Sequence, residues 1–467
     1  MSKKQYLLIL ALAVIAITLC SQCSPIYAFN DGYDINCFMT IGRGMLEGKL
    51  PYRDMFDHKG PLVYALYAFA NLISRDSFIG VYFIEIFFAF LFLVNVYKIC
   101  EEYKSKNSFL LTAITAIITY TSITIWTGGG AVEEYFLSFL SYAVLLAVRN
   151  KVPTGNEFFL IGITSGIIFW SKYSVLFFYV VWMFYVIWPL FKEKNWKNIF
   201  YAFFKVSQGV IAVSLVVLCF SNWLGITRDM FDVYFIKNIR DYDNSSTRLG
   251  NLFGGILSFI SYDSRIILLL LFACIFTYKK REFWFVLIAI ITWLLSLHMR
   301  MSFCYYDLVF AVFIPLGLLL INFKDIFNLK NWIILGLSGL LCIILTPNKY
   351  MLEYKKEDLP QYKFAEIIKQ SNDQSFLNYF FLDGGFYMAL DQVPENKYFY
   401  WSNLPLAEKR EEQHGMVNEG TVEWIVINLG RIPEETDFSK YDGVEIACSN
   451  VNYTESCFGL LRRVHER

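Results

Sequence analysis

Residues 31–64 read DGYDINCFMTIGRGMLEGKLPYRDMFDHKGPLVY. The stretch carries Asp31, Asp34, Asp54 and Asp57 with Arg43, Lys49, Arg53, His58 and Lys59, and glycine and proline punctuate it. Apolar runs stand on both sides of it. Charge held between such runs is either a solvated loop or a reactive one, and loops on a rigid scaffold are where binding and catalysis concentrate. The stretch also decides the fold, because its flanks have the composition of membrane spans.

The rest of the chain supports that reading. Of 467 residues, 56% are hydrophobic and 18% are charged, below the roughly 25% charge of soluble domains. Mean hydropathy is +0.43, and 45 Phe and 31 Tyr add apolar bulk that a soluble core could not hide. The balance of 41 basic and 41 acidic residues speaks against a nucleic-acid partner. The 10 cysteines fall mostly singly within apolar runs, and Cys20 with Cys23 forms a lone CxxC that is no zinc pattern.

The apolar runs predict a polytopic α-helical membrane protein of about eleven transmembrane helices. The first, from Tyr6 to about Cys20, follows Lys3-Lys4 and reads as an uncleaved span with a cytoplasmic N-terminus. Pro61 to Ile73 is short enough for a re-entrant or interfacial helix. Later spans are expected at 78–96, 109–125, 135–148, 158–170, 174–191, 200–220, 256–277, 283–298, 308–321 and 332–346. The weakest is 256–277, which Asp263 and Arg265 interrupt. With this count every short cytoplasmic loop carries Lys or Arg, as the positive-inside rule requires. Residues 25–60, 128–134, 171–173, 222–255 and 299–307 then face outward.

Composition divides the chain at about Pro347, into a membrane domain over 1–346 and a soluble extracytoplasmic α/β domain over 347–467. Within the second, 362–370 reads as an amphipathic helix, and 376–382 and 424–429 read as strands. Cys448 and Cys457 lie on the oxidising side, where a disulfide and two free thiols are equally compatible with the spacing.

Candidate chemistry gathers on the outward face. Asp34, Phe38 and Ile41 share one helical face, which places Asp34 near a helix N-terminus, as a cap or as a general base. Lys59, Lys172 and Arg300 are cations at span ends. Each could be a snorkelling side chain, or all three could converge on an anionic lipid phosphate. Gly128-Gly129-Gly130 precedes Glu133 and Glu134. The glycines form no nucleotide loop, because no GK[ST] follows, and the acids suit a helix start. Glu133, Glu134 and His58 could ligate a divalent metal, although no spacing is diagnostic. No cofactor is otherwise implied.

Several of these pieces resemble the GT-C superfamily of membrane glycosyltransferases, in particular the protein O-mannosyltransferases and the lipid A aminoarabinose transferases. The resemblance rests on Asp34, then Phe38, then Lys59-Gly60-Pro61 in that order. It also rests on Arg43-Gly44-Met45-Leu46, on PYRDMFDHKGPLVY over residues 51–64, and on Phe169-Trp170-Ser171-Lys172-Tyr173. It is close to about residue 190 and loose beyond. Two departures stand out. The family's Asp-Glu pair is Asp34-Ile35 here, leaving Asp31 as a second candidate acid, and Gly60 splits the family's Lys-Pro pair.

The resemblance implies a GT-C-like fold and an inverting glycosyltransferase at the outer face of a bacterial cytoplasmic membrane. The donor would be a polyprenyl-phosphate sugar among membrane lipids, and the acceptor a glycan, lipid or protein. Asp34 would be the catalytic base in the loop 25–60. Lys59, Lys172 and Arg300 would bind the donor phosphate. Asp31, Arg43, Asp57, His58, Glu133, Glu134, Tyr173 and Tyr306 would line the sugar or acceptor site. Two other functions use the same cations: a transporter or flippase of lipid-linked sugars, and a surface-polysaccharide polymerase or ligase. The sequence lacks the two-fold span repeat common in transporters, and its acidic cluster comes early rather than in one large late loop.

Overall fold

A computed structural model describes residues 1–122, 128–149, 151–241, 248–297, 304–321, 329–402, 404–433, 436–451 and 454–465. The fold is mostly helical, with a small sheet near the C-terminus. Five described helices are long and apolar enough to cross a membrane: Lys3–Cys20, Ile79–Glu102, Gly155–Lys192, Trp196–Trp223 and Leu249–Thr277. A sixth is reached if Asn331–Leu345 and Pro347–Glu353, bent by 76°, form one broken span.

The eleven expected spans are not all matched by helices of crossing length. Among the described residues, Ser108–Ser122 and Glu282–Leu295 are shorter apolar helices, and Pro61–Ile73 is short, as expected for it. The two spans expected at 158–170 and 174–191 lie in one helical run of 38 residues, Gly155–Lys192. Such a run is roughly 57 Å long if straight, about twice a bilayer core. It is not uniform, because the backbone leaves helical geometry at Lys172 (φ −157°, ψ 88°). The weak span at 256–277 belongs to a helix Arg248–Thr277 that is kinked at Asp263. Many apolar side chains point away from the protein. On Trp196–Trp223, Phe200, Val216 and Trp223 are all more than two-thirds exposed. A patch of that extent is stable only against another apolar phase, and lipid supplies it.

The C-terminal sheet has four strands: β1 (Phe376–Tyr379), β2 (Trp424–Asn428), β3 (Tyr441–Val451) and β4 (Thr454–Arg463). Their order is β1-β2-β4-β3, with β1 and β2 parallel and the remaining pairs antiparallel. Helices Pro360–Lys369 and Ala407–Glu419 accompany it. Cys448 and Cys457 face each other across the β3–β4 pair and form a disulfide.

This C-terminal region grips the charged stretch that follows the first helix. Thr40 Oγ1 donates to Asp383 Oδ2 at 2.8 Å. Lys49 Nζ donates to the Pro394 carbonyl at 2.6 Å, and the Phe56 N–H donates to the Lys397 carbonyl at 2.9 Å. The loop is therefore a fixed wall between the helices and the sheet rather than a solvated strap.

Candidate functional site

The loop's second half is built to aim Lys59. Tyr52 donates its hydroxyl to the Lys59 carbonyl at 2.8 Å, and the Lys59 N–H donates to the Tyr64 hydroxyl at 2.9 Å. Tyr64 in turn donates to Asp57 Oδ2 at 2.8 Å, while Tyr400 donates to Asp57 Oδ1 at 2.7 Å. Burial opposes the charge on Asp57. The hydrogen bond and charge of His58, the Lys59 ammonium and the Tyr400 hydroxyl outweigh it, and hold the carboxyl well below the usual carboxylate range.

Gly60 explains its own presence in the split Lys-Pro pair. Its N–H donates to the Ser171 carbonyl at 3.0 Å. A Cβ there would stand 2.1 Å from the Trp170 carbonyl oxygen and 2.8 Å from Ser171 Cα. Two backbones meet at this point, one carrying Lys59 and the other Lys172. Pro61 then opens the helix Pro61–Ile73 from its first turn, where a missing N–H costs nothing. Gly60→Ala is expected to force the two backbones apart and to cost about 1–3 kcal/mol or more. A fall in melting temperature together with weakened anion binding would report it; a fully wild-type variant would contradict this packing.

Four charged side chains gather around that contact. Lys59 Nζ stands 3.6 Å from Asp34 Oδ2, with 14% of the lysine side chain and 48% of the aspartate side chain exposed. Lys172 pairs with Glu133 Oε1, and both side chains are largely buried. The Lys172 ammonium also feels the charges of Lys59 and Asp34, and lies 3.9 Å from the centre of the Tyr306 ring. Lys59 lies 6.0 Å from the Phe38 ring. Tyr173 packs its ring against Tyr234 at 5.3 Å and Phe235 at 5.8 Å.

Asp34 is in the first turn of the helix Tyr33–Leu46, whose N-cap is Gly32 and which has no side-chain cap bond. The carboxylate is thus not a helix cap. Glu133 and Glu134 open the helix Val132–Val148, but only Glu133 reaches Lys172. Glu134 lies against the Glu85 carboxyl. Glu85 also accepts from Ser21 Oγ at 2.8 Å and from the Gly130 N–H at 2.5 Å. Gly128, Gly129 and Gly130 all have positive φ (63°, 95° and 75°), so the triple glycine is a left-handed turn wrapped on buried acids.

The other candidates sit elsewhere. Asp31 is buried and receives the Tyr350 hydroxyl. Arg43 is buried, pairs with Asp391 at 3.2 Å, and also donates to the Arg75 and Tyr387 carbonyls. His58 Nδ1 is 3.3 Å from Asp57 Oδ1, and the His58 carbonyl accepts from Asn238 Nδ2 at 3.0 Å. Asp31 and Arg43 therefore tie the loop to its neighbours, whereas Asp57 and His58, which also hold the loop, border the Asp34–Lys59–Lys172 cluster and feel the Lys59 charge. Arg300 lies outside the described residues. Among the described residues no three His, Cys, Asp or Glu side chains group as a metal-ligand set.

Tyr234, Asn238 and Tyr400 were not singled out from sequence, although they support the site. Tyr234 and Asn238 lie in the stretch 222–255, which was expected to face outward, but on a short π-helix and the turn after it (Asp232–Lys237, Asn238–Arg240). An insertion of this type often marks a functional position, yet it leaves no periodicity to read. Tyr400 is more than 300 residues from the acid it holds.

No protein-family model matches the chain, and no curated protein matches it in sequence. Comparison of folds gives a different result. The crystal structure of ArnT from Cupriavidus metallidurans bound to undecaprenyl phosphate is similar over 97% of each chain, with a TM-score of 0.54 at 9% identity. At that identity the likeness is one of architecture, and it runs through both the helical part and the C-terminal sheet: this chain has an ArnT-like fold.

Proposed function

We propose that the protein is an inverting glycosyltransferase of the GT-C type, moving a sugar from a polyprenyl-phosphate donor to an acceptor hydroxyl. The observation that carries this reading is the meeting of Asp34, Lys59 and Lys172 at one point, two of them within 3.6 Å. A half-exposed carboxylate beside two ammonium groups is what displacement at a sugar phosphate needs. The undecaprenyl phosphate held by the similarly folded ArnT supports a lipid-linked donor.

In this reading Asp34 takes the proton of the acceptor hydroxyl as its oxygen bonds to the anomeric carbon. The bond from that carbon to the phosphate oxygen breaks, and its electron pair leaves with the phosphate. Lys59 and Lys172 stabilise the negative charge that builds there. A single displacement inverts the anomeric centre. Tyr173 and Tyr306, flanking Lys172, would face the sugar. Mass spectrometry of envelope glycans and glycoproteins should show one sugar increment missing from cells that lack the protein. It should be missing equally from cells that carry only Asp34→Asn. Identical glycan profiles in all three would contradict the assignment.

The same reading places the C-terminal region outside the cytoplasm. The alternation of basic loops supports this, as does the Cys448–Cys457 disulfide, a bond of oxidising compartments. Glu411→Cys, on the exposed side of the helix Ala407–Glu419, should react with a membrane-impermeant maleimide in spheroplasts. Labelling only after lysis would reverse the orientation.

A further inference from the structure

The two lysines of the site are already paired with carboxylates, and the two pairs differ. Lys172 and Glu133 are in direct contact and largely enclosed, at 13% and 6% exposure. Lys59 and Asp34 are 3.6 Å apart, and nearly half of the aspartate is open. An enclosed pair is costly to break, because either charge left alone loses its compensation. In the second pair the lysine is also enclosed, at 14% exposure, but its partner is half in water, so the pair is weaker than the enclosed one and opens more readily.

From this asymmetry we infer that Lys59 is an exchangeable cation, which an arriving lipid phosphate takes from Asp34, whereas Lys172 is a resident cation that keeps Glu133 throughout. The inference rests on the glycosyltransferase reading above and deepens it. Before the phosphate binds, Lys59 occupies the oxygen of Asp34 that would receive a proton. After binding, that oxygen is free. Phosphate occupancy then becomes the event that readies the base, and an empty site leaves its carboxylate masked. Lys59 can make the swing because its backbone is pinned on both sides, by Tyr52 at the carbonyl and Tyr64 at the N–H, while its side chain runs past the Phe38 ring.

The two carboxylates should therefore affect phosphate binding in opposite directions. Asp34 competes with the phosphate for Lys59, so removing its charge raises the fraction of sites ready to bind. Glu133 supplies the counter-charge that offsets the cost of a buried ammonium, so removing it weakens the cation the phosphate needs. The test is an equilibrium titration of the purified full chain in nanodiscs with undecaprenyl phosphate. Asp34→Asn and Asp34→Ala should each bind about two- to fivefold more tightly than wild type, the scale of a half-exposed ion pair. Glu133→Gln should bind about tenfold or more weakly.

The use of two Asp34 variants covers the failure of either to fold. Unchanged or weaker binding in a folded Asp34 variant, with Lys172→Ala still losing affinity, would overturn the exchange and leave the glycosyltransferase reading standing. Wild-type affinity in both Lys59→Ala and Lys172→Ala would remove the reading and the exchange together. Loss of binding in Lys172→Ala but not in Lys59→Ala would also overturn the exchange.

Discussion

Asp34→Asn should lower turnover by about 10²–10⁴-fold while the protein stays folded, the usual cost of removing a general base. Asparagine keeps the size and hydrogen-bonding shape of the residue and removes the basic oxygen. The position tolerates the change, since the side chain is 48% exposed and caps no helix. Asp31 and Asp57 serve as controls of a different kind. Both are buried and take tyrosine hydroxyls, so Asp31→Asn and Asp57→Asn should act first on stability. Breaking such a buried, charge-assisted network costs about 1.5–3 kcal/mol per lost bond. Thermal melts together with single-turnover rates separate the two behaviours. Near-normal turnover in Asp34→Asn, with an abolished rate in a folded Asp31→Asn, would move the base to Asp31.

Lys172→Ala is the second large effect, and it should cost about 2–5 kcal/mol in binding of undecaprenyl phosphate, roughly 30-fold or more. Part of that loss is the phosphate contact. Part is the burial of Glu133 without its partner, since the Glu133 side chain is only 6% exposed in the pair. Lys59→Ala should cost less, because Asp34 is left half in water rather than enclosed. Lys172→Arg distinguishes charge from shape. A guanidinium can stack on the Tyr306 ring as the ammonium does, but it is bulkier and cannot keep the enclosed contact with Glu133 unchanged, so arginine should restore binding only in part. Full restoration would show that only charge matters at this position.

The charges that meet around Gly60 were conspicuous in sequence by residue type at span ends. Asp34, Lys59 and Lys172 are charges in otherwise apolar surroundings, and such charges are conspicuous because the membrane makes them expensive. What could not be read was which of these charges are covered by distant parts of the chain and which stay open. Arg43, Asp57 and Asp31 look equivalent to Asp34 in the chain. They differ because Asp391, Tyr400 and Tyr350, each more than 300 residues away, cover them in the fold. Glu85 was passed over because one acid in a long apolar helix leaves no pattern. Its reason is the glycine turn it holds.

The elements follow the same division. The strands at 376–382 and 424–429 were readable because β1 and β2 are buried along their whole length and are apolar except for Asn378 and Asn428. The β3–β4 hairpin was missed. Residues 442–446 of β3 are exposed, so no alternation of apolar and polar residues marks the strand. The membrane part shows a further limit. Apolar length predicts a span at 109–125, but the described helix there, Ser108–Ser122, is shorter than a bilayer core and mostly buried in the protein; Pro61–Ile73 is short, as its length in sequence suggests.

The most direct test is a structure of the full chain with undecaprenyl phosphate bound. The phosphate should lie within about 3 Å of both Lys59 Nζ and Lys172 Nζ, the distance of a charge-assisted hydrogen bond, with Glu133 still on Lys172 and Asp34 released from Lys59. A phosphate bound elsewhere, with the Asp34–Lys59 pair of 3.6 Å intact, would contradict the account.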